Sequence, residues 1–192
     1  MTTMPILKFA RKVWALPALI LPPLALAAPL APAAAAERTA PPAKTGARAS
    51  IVRHPAADPA APILVGVTLP AGAETLLLSG QVPAPVAAGG DPVAIATYGD
   101  TQTQTVSVLR KIEAALKAQG YGLADVVKLT VYLVGDPAKG GKLDFAGFSQ
   151  GYAQFFGTPG QPNKVARTTV QVAALANPGF LVEIEATASK AP

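Results

Sequence analysis

One segment, DVVKLTVYLV at residues 125–134, alternates apolar and polar side chains over most of its length. Four apolar side chains point to one side of an extended chain, namely Val127, Leu129, Val131 and Leu133. Three polar ones point to the other side, namely Lys128, Thr130 and Tyr132. This period of two predicts a β-strand with one buried face. Such a strand needs partner strands and a second layer on its apolar face, so the chain is restricted to layered folds that contain a sheet.

A segment with helical spacing precedes this strand at residues 101–120. Its apolar residues recur at helical intervals, as Leu109, Ile112 and Leu116. Asp100 or Thr101 can cap its start, and Gly120 suits the position after its end. A first helix is therefore predicted here.

A second helix is predicted after the strand, at residues 144–157, with Asp144 as its cap and Gly157 as its stop. Its aromatic side chains fall on one face, as Phe145, Phe148, Tyr152 and Phe155. We interpret this stripe as core packing against a sheet rather than as a ligand site.

Four further runs predict strands. APILVGVTL (61–69) and TLLLSGQV (75–82) are interpreted as a strand pair, and residues 164–188 as two strands joined by the loop ALANPGF. The resulting order, ββαβαββ, predicts an α+β sandwich with both helices on one face of a mixed sheet. The other sheet face would stay uncovered in a single chain, so we expect oligomerisation through it.

The first 61 residues differ in character from the rest. Lys8, Arg11 and Lys12 precede a long apolar run that ends in small residues, which is the pattern of a secretory signal peptide over 1–36, with Ala34 and Ala36 at the cleavage site. A retained membrane anchor is the alternative, which four prolines in the run disfavour. Residues 37–61 are rich in Ala and Pro and predict a flexible tail, which leaves 62–189 as one domain. We expect an exported protein, periplasmic or secreted, without stable membrane insertion after cleavage.

Charge and composition exclude several functions. Loss of Lys8, Arg11 and Lys12 from the 16 basic residues would leave 13 against 11 acidic ones, which is too weak a balance for a nucleic-acid partner. Cysteine is absent, so thiol nucleophiles and thiolate metal sites are excluded. The only histidine, His54, lies in the predicted tail, which argues against a Ser-His-Asp triad and a multi-histidine metal site.

The residues left for chemistry are few: Ser79, Tyr132, Arg167, Thr169, Glu183 and Glu185. Glu183 and Glu185 are two apart and share one strand face, with Val182 and Ile184 on the other. The simplest interpretation of this pair is a solvated edge strand.

Five segments in this order and spacing resemble the Rid family, the reactive intermediate deaminases: LSGQVP, DVVKLTVYL, DFAGFSQGYAQFFG, ARTTVQVAAL and LVEIEATA. The resemblance covers roughly residues 62–189. It implies a chorismate-mutase-like α+β fold and a homotrimer whose sheets form a central barrel, with sites between subunits. It also implies hydrolysis of 2-imino acids and enamines to 2-keto acids and ammonia, without metal or cofactor.

The resemblance also assigns roles residue by residue. Arg167 matches the arginine that binds the substrate carboxylate, and Glu183 the glutamate that positions or activates water. Ser79 and Gly80 match pocket-lining positions, and Thr169 stands where the family often has cysteine. Two departures alter the pocket entrance: the early tyrosine has no counterpart, and Ser149 replaces an asparagine of the second helix.

The predicted hairpin allows a distance to be set. With its centre near Pro178, Glu183 would face Ala173, and Arg167 would lie roughly 20 Å away along the strand. A neighbouring subunit would then be needed to complete the site. We expect an imine deaminase. The alternatives are an exported, non-catalytic trimer that binds small carboxylates, which the leader favours because imino acids arise mainly in the cytoplasm, and an enzyme for a related imine.

Overall fold

The fold is described from a computed structural model that covers residues 50–192. Its strands are β1 Val52–Pro55, β2 Leu64–Thr68, β3 Glu74–Gln81, β4 Val126–Val134, β5 Ala166–Val172 and β6 Val182–Lys190. Its α-helices are α1 Thr101–Ala118 and α2 Phe145–Tyr152. The predicted strand at 125–134 is β4, and both predicted helices are present.

The six strands form one mixed sheet in the order β1-β2-β5-β4-β6-β3. β5 runs parallel to both of its neighbours, β2 and β4, and the other pairings are antiparallel. The helices and the alternating apolar residues of β4 and β6 share one hydrophobic core. The predicted α+β sandwich with a mixed sheet and two helices is therefore confirmed.

The two sheet faces differ, and we name them by β4. The helix face carries Leu129, Val131 and Leu133, which are fully buried beneath the helices. The open face carries Lys128, Thr130 and Tyr132, which are partly exposed. This difference follows directly from the alternation in the sequence.

Both predicted hairpins are wrong. β2 and β3 do not pair, and β4 lies between β5 and β6, so that β5 and β6 contact β4 from opposite sides. The predicted register that placed Glu183 opposite Ala173 is replaced by Glu183 opposite Tyr132 of β4. Loops of this length are also compatible with a hairpin. However, β4 has a continuous apolar face and lies at the centre of the core, where it pairs with both β5 and β6.

The predicted flexible tail is also wrong in its last part. Val52–Pro55 form β1, which pairs with β2 and adds a strand to the predicted order. His54 lies in this strand, with Nε2 2.8 Å from Thr68 Oγ1. The ordered domain thus begins before residue 62. The predicted signal peptide and most of the predicted tail, residues 1–49, lie outside the described residues. Within 50–192, no helix is both long enough and apolar enough to cross a membrane.

The predicted residues cap the starts of both helices, and only the end of α2 differs from the prediction. Asp100, rather than Thr101, caps α1, because its side chain accepts a hydrogen bond from the Thr103 backbone at 2.8 Å. Gly120 adopts a positive φ of 79° after the helix end. Asp144 caps α2 as predicted, but the helix ends at Tyr152 instead of reaching Gly157.

Candidate functional site

Arg167 lies on the helix face of β5, beneath α2. The parallel pairing of β4 and β5 sets Arg167 level with Leu129, and Thr169 level with Val131. The guanidinium carbon lies 4.4 Å from the ring centroid of Tyr152, 4.9 Å from that of Phe148 and 5.8 Å from that of Phe145. We call these three rings the aromatic platform. Cation–π attraction to the platform holds the guanidinium in place.

The aromatic stripe predicted as core packing therefore has two roles. Phe148 and Tyr152 are buried in the core, as predicted. Phe145 is 49% exposed, so one ring of the platform remains accessible beside the guanidinium. The sequence signal for this second role was Arg167, a lone arginine in a predicted strand.

Two polar atoms of this region are buried without a hydrogen-bond partner, Arg167 Nη1 and Thr169 Oγ1. Within residues 50–192, the only other buried side-chain atom of this kind is Thr101 Oγ1, at the start of α1. The one ion pair in the same range joins Lys117 and Glu113, so no carboxylate of the described chain neutralises Arg167. A buried guanidinium edge and a buried hydroxyl on one strand face form a binding set for a carboxylate.

Burial also alters the titration of this region. Burial lowers the pKa of Arg167, an effect that the neighbouring Tyr152 opposes. The guanidinium nevertheless stays protonated at physiological pH. Burial raises the pKa of Tyr152 to about 12, so its hydroxyl remains neutral. The half of the site around Arg167 thus carries one positive charge in apolar surroundings, where an electrostatic attraction is less screened than in water.

Glu183 lies on the open face of β6, against Gly80. The β3–β6 pairing is irregular between Leu78 and Gln81, and this bulge brings Gly80 next to the Glu183 carboxylate. A Cβ atom at position 80 would overlap Glu183 Oε1. Only glycine therefore lets the carboxylate pack on the main chain. Ser79, in the same bulge, is exposed.

Tyr132 and Glu185 lie beside Glu183 on the open face. Tyr132 is its cross-strand partner, and the Tyr132 hydroxyl donates to Glu185 Oε2 at 3.2 Å. Burial raises the pKa of Tyr132, and the hydrogen bond to Glu185 raises it further. A depression of about 300 Å³ lies alongside, lined partly by Ser79, Lys128 and Glu185. The interpretation as a solvated edge strand is wrong, because β6 lies between β4 and β3.

Arg167 and Glu183 lie on opposite faces of one sheet. Their β4 partners, Leu129 and Tyr132, are three positions apart, so the two Cα atoms are roughly 14 Å apart across two strand spacings. This distance replaces the predicted 20 Å. One chain does not bring the guanidinium and the carboxylate together.

The remaining predicted residues divide between the same two regions. Thr169 lies two residues from Arg167 on the same strand face, and Ser149 lies one helical turn from both Phe145 and Tyr152 on α2. We call Arg167, Thr169 and Ser149 with the platform the arginine half-site. Ser79, Gly80 and Glu183 form the glutamate half-site. Within residues 50–192, no group of three His, Cys, Asp or Glu residues is arranged to hold a metal ion.

Comparison with known proteins agrees with this architecture. The family described as endoribonuclease L-PSP matches residues 66–190. A RutC family protein of Pyrococcus horikoshii is 39% identical over 115 residues, which cover 60% of this chain and 79% of that protein. The protein DfrA of Myxococcus xanthus is 35% identical over 143 residues, covering 74% of this chain and 95% of that protein.

A solved structure gives the same result. A Yersinia pestis protein of unknown function, described as a member of the conserved Rid protein family, superposes with a TM-score of 0.50 at 31% identity. The match covers 67% of this chain and 86% of that one.

Proposed function

Because the chain belongs to the endoribonuclease L-PSP family, in which the Rid proteins are grouped, we propose that it hydrolyses reactive 2-imino acids and their enamine tautomers to 2-keto acids and ammonia. The resemblance carried by the five sequence segments is confirmed at the level of the family, and so is the chorismate-mutase-like fold. The observation that supports the activity most is Arg167, a half-buried cation with a buried, unpartnered Nη1 and no carboxylate beside it.

The arginine half-site suits a small carboxylate. One carboxylate oxygen would accept from Arg167 Nη1, and the other from the Thr169 hydroxyl. The platform covers a face of the guanidinium, which leaves its edge for in-plane hydrogen bonding. A carboxylate held in this way orients the adjacent C=N carbon toward an attacking water.

The glutamate half-site would supply the proton transfers. Water attacks the C=N carbon, and Glu183 accepts a proton from that water. With the imine nitrogen protonated at the start, the adduct is a neutral carbinolamine. Glu183 returns the proton to the nitrogen of this adduct, the C–N bond breaks to release ammonia, and Glu183 accepts the hydroxyl proton as the C=O bond forms. Because Glu183 and Arg167 lie on opposite faces, we propose a homotrimer in which each site combines the arginine half-site of one copy with the glutamate half-site of the next.

A second candidate is an exported, non-catalytic trimer that binds small carboxylates. Its support is that the arginine half-site is complete within one chain, whereas the glutamate lies on the other sheet face. Ser149 and the missing early tyrosine also leave fewer polar groups for catalysis. The family name mentions ribonuclease activity, but the weak charge balance expected of the mature chain argues against RNA as its substrate.

The experiment that separates these candidates follows ammonia release from imines generated in situ by an amino-acid oxidase. We expect the wild type to accelerate release, and Arg167→Ala to abolish the acceleration while the assembly stays folded. Arg167→Lys should not restore it, because a point charge cannot replace the planar fork. Glu183→Gln should keep 2-keto acid binding and lose turnover, since it removes the proton acceptor and keeps the shape.

Arg110→Ala is the matched control, because Arg110 is exposed and its side chain makes no hydrogen bond or ion pair with the described residues. A wild type that binds 2-keto acids but releases ammonia no faster than buffer would favour the binding protein. If all variants accelerate release equally, the activity lies outside both half-sites.

A further inference from the structure

We propose that the last part of the segment predicted as a flexible tail supports the site, and that Arg53 of β1 is a positioning residue for Arg167. We call residues 52–63, which comprise β1 and the loop to β2, the N-terminal clasp. The inference rests on the proposed role of Arg167 in binding a carboxylate.

Arg53 joins three parts of the chain that are distant in sequence. Its Nη1 donates to the carbonyl oxygens of Val126 and Lys164, each at 2.9 Å, and its Nη2 donates to that of Ala124 at 2.7 Å. Ala124 and Val126 mark the start of β4, and Lys164 lies two residues before the start of β5. One guanidinium therefore fixes the ends at which two parallel strands begin.

The number and arrangement of these hydrogen bonds explain why arginine is required. Charge-assisted hydrogen bonds to carbonyls are stronger than neutral ones, and a guanidinium presents several donors in a fixed plane. Arg53 is half-buried, and burial lowers its pKa while nearby Asp125 raises it. A lysine carries its three donors on a single nitrogen, so it cannot occupy the positions of both Nη1 and Nη2.

The clasp reaches β5 by further contacts. Lys164 Nζ donates to the Pro59 carbonyl at 2.7 Å, so Lys164 is bound to the clasp through both its carbonyl and its side chain. The Leu64 amide, just after the clasp, donates to the carbonyl of buried Val165 at 2.9 Å. These contacts fix residues 164 and 165, and Arg167 follows two positions later.

The clasp also holds the platform. The Tyr152 hydroxyl donates to the Pro62 carbonyl at 3.2 Å, and Tyr152 is the ring nearest to the Arg167 guanidinium. The backbone that carries Arg167 and the ring that supports it are thus attached to the same segment. Loss of the Arg53 contacts would loosen both.

The test uses a signal from Arg167 itself. Because the guanidinium carbon lies 4.4 Å from the Tyr152 ring centroid, we expect the Nε–H proton of Arg167 to show a ring-current shift in the NMR spectrum of the purified protein. We expect Arg53→Met, which keeps an unbranched apolar stem and removes the donors, to move this resonance and to weaken binding of pyruvate by about tenfold, at a temperature well below the unfolding transition. Arg53→Lys should give a resonance position and a pyruvate affinity between those of the wild type and Arg53→Met. The exposed Arg110→Met should match the wild type in both.

The outcomes are distinct. If folded Arg53→Met keeps the Arg167 resonance and the pyruvate affinity of the wild type, the proposal is wrong and Arg53 is only structural. If the wild type itself does not bind pyruvate, the proposed function fails, and the Arg167 resonance alone decides the role of the clasp. If Arg53→Met does not fold, Arg53→Lys takes its place in both measurements.

Discussion

Thr169 combines a cost in stability with a proposed gain in binding. Its hydroxyl is buried without a partner, which costs a folded protein about 1–3 kcal/mol. Valine has the same shape without the hydroxyl. We therefore expect Thr169→Val to raise the free energy of unfolding by about 1 kcal/mol and to weaken pyruvate binding. Urea denaturation and calorimetric titration measure the two effects.

The control for this change is Thr169→Ser, which keeps the hydroxyl and removes the methyl group. It should retain pyruvate binding and lose stability, the reverse of valine. If Thr169→Val binds pyruvate as tightly as the wild type, the hydroxyl is not part of the carboxylate site.

Gly80 is the residue that most directly limits the position of Glu183. A methyl group at Gly80 would overlap the Glu183 carboxylate, so Gly80→Ala should displace it. We expect imine turnover to fall by about 10²-fold, as misplaced catalytic groups do, while pyruvate binding stays unchanged because Arg167 and Thr169 of the neighbouring copy hold its carboxylate. Steady-state ammonia release and pyruvate titration test both parts.

Gly66→Ala in β2 is the matched control, since a Cβ atom there meets nothing within 4 Å. Equal loss of turnover in both variants would indicate a general weakening of the strands. Loss of pyruvate binding in Gly80→Ala would contradict the separation of the two half-sites.

At the scale of elements, the start of α1 depends on one carboxylate. Asp100 accepts from the Thr103 backbone, and this hydrogen bond, with one from the Thr103 side chain, lowers the pKa of Asp100 below its usual 3.8. Asp100→Ala should lower the free energy of unfolding by about 1 kcal/mol at neutral pH. Because the folded pKa is the lower one, the wild-type advantage is complete above 3.8 and is lost as pH falls through the folded value.

Urea denaturation at neutral and strongly acidic pH measures this difference. Asp100→Asn, which keeps an acceptor without the charge, should show a smaller and less pH-dependent loss. A gap between wild type and Asp100→Ala that widens on acidification would contradict the assigned cap.

At the scale of the whole molecule, the opposite faces of Arg167 and Glu183 predict complementation between inactive chains. Subunit exchange between Arg167→Ala and Glu183→Gln trimers should restore activity to about one quarter of the sites, because each site then has an even chance of receiving each intact residue. Ammonia release before and after exchange measures this recovery. The same variants mixed without exchange serve as the control. No recovery after verified exchange would contradict a site shared between two copies.

Export is the remaining prediction for the whole chain. We expect the protein from its native host to begin near Glu37, after cleavage at Ala36, because the basic start, apolar run and small-residue end form a signal peptide. Mass spectrometry of the terminus measures this. An intact Met1 or Thr2 terminus on cytoplasmic protein would contradict export, and an uncleaved chain in the membrane fraction would indicate an anchor.

The sequence by itself determined the kind and order of most elements. The alternation of β4 and the caps at Asp100 and Asp144 are local signals, and each is contained in a few neighbouring residues. The five segments also sufficed for the family. The shared face of Glu183 and Glu185 followed from the period of a strand, whichever strands lie beside it.

Only the tertiary structure decided which strands are neighbours. Pairing depends on which faces the core buries together, and this separated β5 from β6 and set Arg167 and Glu183 on opposite sides. The N-terminal clasp has no periodicity in sequence. It is ordered because Arg53 binds carbonyls 71, 73 and 111 residues away, and contacts over such separations exist only once the chain has folded.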